Sequence, residues 1–133
     1  MTLQRYDSLY DMLNRILSSG LPNSSYYSYP VHDVYVDPDK TLVFEFAVSG
    51  FSKDEVSVEL ANNILTVSGK KITEKPDDLV WLHRKIATRD FEIKYTVPSS
   101  YTGDNASAKY RDGILRVEIP ISESVKPKLL SID

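Results

Sequence analysis

The feature that most narrows what this chain folds into is a two-residue turn, Asp112-Gly113, set between two alternating runs: Ala106, Ala108 and Tyr110 before it, Leu115, Val117 and Ile119 after it. Asp-Gly adopts the positive φ angles that a tight hairpin requires, and alternating apolar positions turn one face of each flanking strand toward a core. The same pattern recurs upstream, once the period changes to two after Pro30. Leu42, Phe44, Phe46 and Val48 alternate with Val43, Glu45, Ala47 and Ser49. Val56, Val58 and Leu60 lead through a second turn, Asn62-Asn63, to Leu65 and Val67, and Phe91, Ile93, Tyr95 and Val97 repeat the period. Closely spaced strands without helical pattern between them predict an all-β, antiparallel β-sandwich.

The ends of the chain follow other rules. Leu3, Tyr6, Leu9, Tyr10, Leu13, Ile16 and Leu17 recur at three- and four-residue steps, the spacing of one helical face. Gly20, Pro22 and the Ser/Tyr-rich stretch ending at Pro30 then break regular structure. At 133 residues there is room for one domain and its arms. The expected division is an N-terminal arm with a short helix (residues 1–30), a sandwich (31–121) and an extended C-terminal tail (122–133).

Two segments carry apolar side chains that the sandwich does not need. Between Gly69 and Ile86 a charged loop holds the run Leu79-Val80-Trp81-Leu82. Such a run is either a satellite strand on its own sandwich or a strand lent to a second subunit, and the residues leave both accounts open. Near the C-terminus, Leu130 and Ile132 are two positions apart, so in an extended tail they point the same way as a pair of apolar knobs. A Leu-x-Ile by chance is the competing account.

Composition excludes several functions. A net charge of −3 and a pI near 5.4 give no cationic surface for nucleic acid. Arg5 and Arg15 are offset by Asp7 and Asp11, so the N-terminal helix has no cationic face for a membrane surface, and no apolar run reaches the ~20 residues of a spanning helix. No cysteine is present, which removes disulfides, thiolate nucleophiles and sulfur-ligated zinc and fits a cytoplasmic setting. His32 and His83 lie in different strand-like segments without a metal-ligand repeat. Asp54-Glu55 and Asp77-Asp78 suit solvated turns better than a paired-carboxylate cleft, and Ser24-Ser25 lacks a strained elbow. The glycines at 50, 69, 103 and 113 are isolated, so no phosphate cradle exists. Nothing points to an enzyme, a cofactor or a metal.

The run Ala108-Lys109-Tyr110-Arg111-Asp112-Gly113-Ile114-Leu115 resembles the signature of small heat shock proteins, with Asp112 in place of the usual asparagine. Ala47 to Ser52, Asn63 to Gly69, and His83-Arg84 with Ile86 to Phe91 agree with it in order, and the last block is similar to the bacterial inclusion-body-associated branch. Lys85 and Ile93 depart from that branch, which usually has glycine and a basic residue there.

The resemblance implies an α-crystallin domain, an immunoglobulin-like sandwich that dimerises by exchanging a strand of the long loop. Leu79, Val80, Trp81 and Leu82 would be that strand, with Arg89 in the exchange contact. It also implies that Leu130 and Ile132 dock on a neighbouring dimer, in a groove formed by Val56, Val58 and Leu60 on one side and Ala106, Ala108 and Tyr110 on the other. The activity implied is that of an ATP-independent holdase, a dynamic oligomer of dimers that captures unfolded client proteins for ATP-dependent chaperones downstream. The candidate client surface is Leu3, Tyr6, Leu9, Leu13 and Leu17 with Tyr26, Tyr27 and Tyr29. The alternative is a small co-chaperone-like adaptor that binds one defined partner.

Overall fold

The computed structural model describes residues 29–72, 75–86, 88–122 and 129–133. The helix expected in the N-terminal arm lies outside them, as do Leu3, Tyr6, Leu9, Leu13, Leu17, Tyr26 and Tyr27. Seven strands are described: β1 (His32–Val36), β2 (Leu42–Ala47), β3 (Val56–Ala61), β4 (Ile64–Gly69), β5 (Phe91–Thr96), β6 (Ser107–Arg111) and β7 (Ile114–Ile119). They form two antiparallel sheets, one ordered β1-β2-β7-β6 and the other β3-β4-β5.

The two hairpins form where the turn residues demand them. Asn62 and Asn63 take φ of 53° and 63°, and Asp112 and Gly113 take 54° and 78°, so both turns have the left-handed pair that matches strand twist. Ala61 therefore faces Ile64, and Arg111 faces Ile114. Register then follows along each ladder, placing Leu65, Val67, Leu115, Val117 and Ile119 inside.

The core lies between the sheets. Phe44 and Phe46 stack 6.2 Å apart, Tyr95 sits 5.3 Å from Phe44, and Ile93 of β5 and Val97 just after it join them. Ile93, which departs from the related branch, is thus a core residue. Val43 differs from the simple alternation: on the outer face of β2, flanked in register by Tyr35 and Glu118, it is fully buried. Beside it the Arg116 guanidinium bridges Glu45 at 2.8 Å and Glu118 at 2.6 Å and donates to the Tyr35 hydroxyl at 3.1 Å. The Glu118 contact leads in holding Arg116 protonated beyond its ordinary range. Tyr101, outside any strand, is fully buried and donates its hydroxyl proton to the Lys40 carbonyl at 2.9 Å, pinning the β5–β6 crossover to the β1–β2 turn.

Candidate functional site

The sandwich has two lateral edges, and they differ. At one, β1 and β5 are joined across the layers. The His32 ring stacks on Phe46 at 4.9 Å, its Nδ1 donates to the Pro30 carbonyl at 2.8 Å, and its Nε2 is 2.5 Å from the Tyr95 hydroxyl. Burial raises the Tyr95 pKa, which keeps that hydroxyl neutral in the contact. Just before β1, Tyr29 meets Phe91 edge-on at 5.9 Å and lies under the Arg89 guanidinium at 4.6 Å. These contacts close the gap between the layers, yet among the described residues the outer rim of β1 has no strand beside it in the sheet order.

At the other edge, β3 and β6 are the outermost strands of their sheets. Val56, Val58 and Leu60 point toward the core but stay half-buried, because no strand of the second sheet lies over them. Opposite them Ala106 and Ala108 are exposed and Tyr110 is half-buried. Tyr110 donates to the Phe51 carbonyl at 2.6 Å and closes one end. At the other end Gly103, at φ +85°, approaches Leu60 so closely that a Cβ there would come within 2.5 Å of Leu60 Cδ2. Of the predicted groove residues, Val56, Val58, Leu60 and Tyr110 pack half-buried against the core between these two crossings, while Ala106 and Ala108 are exposed.

The other predicted elements are not brought to that groove. Leu130 and Ile132 are exposed, at 79% and 98%. Leu79, Val80, Trp81 and Leu82 form no strand and stand off the sandwich, with Val80 86% and Leu82 95% exposed. A satellite strand packed on its own sandwich is therefore not what the chain makes. Leu79 and Trp81 are less open, at 44% and 42%, and Trp81 has partners. Its ring is covered by the Lys75 ammonium at 4.8 Å and the Arg84 guanidinium at 4.2 Å, contacts worth about 0.5–1 kcal/mol each at such sites. His83, expected in a strand-like segment, lies in this loop without strand partners.

The loop is fastened at its base. The Lys71 amide donates to Asp90 Oδ1 at 2.8 Å, which ties the two roots together. Lys71 Nζ reaches the Gly50 carbonyl at 2.7 Å and Glu55 Oε1 at 3.2 Å, and the Ile72 amide donates to Glu55 Oε2 at 2.8 Å. The Ser52 and Ile72 amides lead in holding the Glu55 carboxyl down at about 2, with Lys71 assisting against desolvation. Glu55 is thus a structural buckle with its side chain only 7% exposed, where the sequence suggested a solvated turn. Sequence reading missed both it and the Tyr29–Arg89 contact, since neither has a local pattern.

Among the described residues no cluster of His, Cys, Asp or Glu is arranged to hold a metal ion, and no helix is long and apolar enough to cross a membrane.

Comparison with known proteins places this geometry. The Hsp20/alpha crystallin family profile matches residues 34–133. The chain is 29% identical over 130 residues to the small heat shock protein HspD of Bradyrhizobium diazoefficiens, covering 96% of this chain and 80% of that protein. It is also 29% identical over 125 residues to the small heat shock protein IbpA of Yersinia pestis, covering 92% and 88%. In fold it is similar to a small heat-shock protein from Xylella fastidiosa, with a TM-score of 0.64 at 19% identity, covering 77% of this chain and 94% of that one.

Proposed function

The chain belongs to the Hsp20/alpha crystallin family, and on that premise we propose that it is an ATP-independent holdase of the cytoplasm that binds unfolding proteins and works as a dynamic oligomer of dimers. The family supports a chaperone role and a binding rather than catalytic activity. The observation that carries the finer reading is a complementarity between two parts of one chain. A groove lined by Val56, Val58 and Leu60 is half open, while Leu130 and Ile132 stand exposed in the tail.

The spacing suits the pairing. Alternate residues of an extended chain are about 6.7 Å apart, so two tail knobs match two successive inward positions of β3. Each buried Leu or Ile side chain contributes roughly 1.5–3 kcal/mol, less the cost of ordering the tail. A single contact is therefore reversible, and several in an assembly hold by multivalency. A tail bound in a neighbour's groove links dimers and releases apolar surface when it leaves.

The run Leu79 to Leu82, with Arg89 at the loop's end, is proposed to pair with the open rim of β1 in a second copy. Its exposure and that unoccupied rim support this. The N-terminal face of Leu3, Tyr6, Leu9, Leu13 and Leu17, with Tyr26, Tyr27 and Tyr29, is the proposed client surface, because adaptable apolar and aromatic groups accept varied partners. Clients held this way would pass to ATP-dependent chaperones.

Heating citrate synthase with the protein and without nucleotide tests the activity. Light scattering should fall at near-stoichiometric ratio, and undiminished scattering overturns the reading. Trp81→Ala tests the lent strand separately by raising the dimer dissociation constant.

A further inference from the structure

The arm and the long loop leave the sandwich at one corner, where a single residue of each holds the other. Tyr29 accepts a hydrogen bond on its hydroxyl from the Arg89 backbone N–H at 3.2 Å, and its ring carries the Arg89 guanidinium at 4.6 Å. Tyr29 is the root of the arm and Arg89 is at the end of the loop. Each is backed by a second tie. On the arm side, His32 Nδ1 holds the Pro30 carbonyl, and the Val31 carbonyl accepts the Ala47 N–H at 3.0 Å. On the loop side, Asp90, next to Arg89, accepts the Lys71 N–H at 2.8 Å.

We propose that the Tyr29–Arg89 clasp couples the N-terminal arm to the long loop, so that pulling the arm root from the sandwich loosens the loop base and loosening the loop frees the arm root. Linkage requires the two effects to be equal, since each segment shifts the other through the same contact. The coupling stands on contacts within one chain. Its use, letting an arm engaged with a client reset the loop's availability to a second copy, rests on the reading given above. Dimer measurements on Trp81→Ala test that reading without touching the clasp.

The experiment is residue-resolved hydrogen exchange on the full chain. Tyr29→Phe removes only the acceptor, so the Arg89 amide should exchange about fivefold faster, the loss of one ordinary hydrogen bond. Tyr29→Ala removes the ring contacts as well and should speed exchange of the distant Lys71 amide by a comparable factor. Arg89→Ala should speed the Ala47 amide on the arm side equally. The Val48 amide, which donates to the Gly113 carbonyl at 2.8 Å inside the four-stranded sheet, should not change. The proposal is overturned if Arg89 loses protection while Lys71 does not. If Tyr29→Ala also moves Val48, the milder Tyr29→Phe decides: a change at Lys71 with Val48 constant supports the coupling, and no change at Lys71 removes it.

Discussion

At the β1/β5 edge a histidine, two tyrosines and two phenylalanines interlock across the layers. At the β3/β6 edge the outermost side chains are valines, a leucine and alanines, with Tyr110 and the Gly103 approach crossing between the layers. Both edges belong to one core. The difference is side-chain size. Large rings span the roughly 10 Å between packed sheets, and small side chains do not. One edge is thereby closed by packing, and the other keeps the apolar side chains of β3 half-buried.

The strongest test of this contrast compares two tyrosines. Tyr95 is buried at the closed edge and Tyr110 is half-buried at the open one. Tyr95→Ala should cost about 3–5 kcal/mol in urea unfolding, the range for large buried rings, and clearly more than Tyr110→Ala. Equal costs would mean that the two edges do the same mechanical job. Next in size, Leu130→Ala combined with Ile132→Ala should lower the native mass toward dimers while folding stability stays within about 0.5 kcal/mol, as for surface substitutions. An unchanged mass spectrum ends the tail-in-groove proposal. Tyr110→Phe is a finer cut. It removes only the hydroxyl that donates to the Phe51 carbonyl and should cost about 1 kcal/mol, with a change in tail affinity showing whether that end of the groove is gated.

Glu55→Gln tests the buckle at the base of the long loop. The Glu55 carboxyl titrates at about 2 instead of the ordinary 4.5, so the folded state favours its charged form. Its stabilisation is fully present above about pH 4.5 and is lost as pH falls through about 2. Acid titrations of stability should show wild type losing ground across that window and the glutamine variant following a flatter course there. Parallel curves would show that the buckle carries no charge-dependent stability.

What was legible in the sequence was local. Asn62-Asn63 and Asp112-Gly113 dictate their turns through backbone sterics, and the alternation beside them fixes which side chains face inward. The inward positions of β3 were legible too, because alternation names Val56, Val58 and Leu60 whether or not anything covers them. The closed edge was not. His32 meets Tyr95 across 63 residues and Tyr29 meets Arg89 across 60, and no spacing rule connects positions so far apart. Val43 was misjudged for a related reason: alternation assigns it outward, but the neighbours that flank it belong to β1 and β7. The run at 79–82 has the composition of a strand, yet strand formation needs a partner edge, and among the described residues none pairs with it.

The tie between Lys71 and Asp90 has a consequence for how such a chain can vary. With the two roots fastened side by side, the segment between them is closed off at its base. Lengthening a segment of this kind costs little, about 0.6 kcal/mol for each doubling, and leaves the strands on either side in register. The segment can therefore be lengthened, shortened or rewritten as a cassette, with the reach and chemistry of what it offers a partner changing while the core that displays it stays the same.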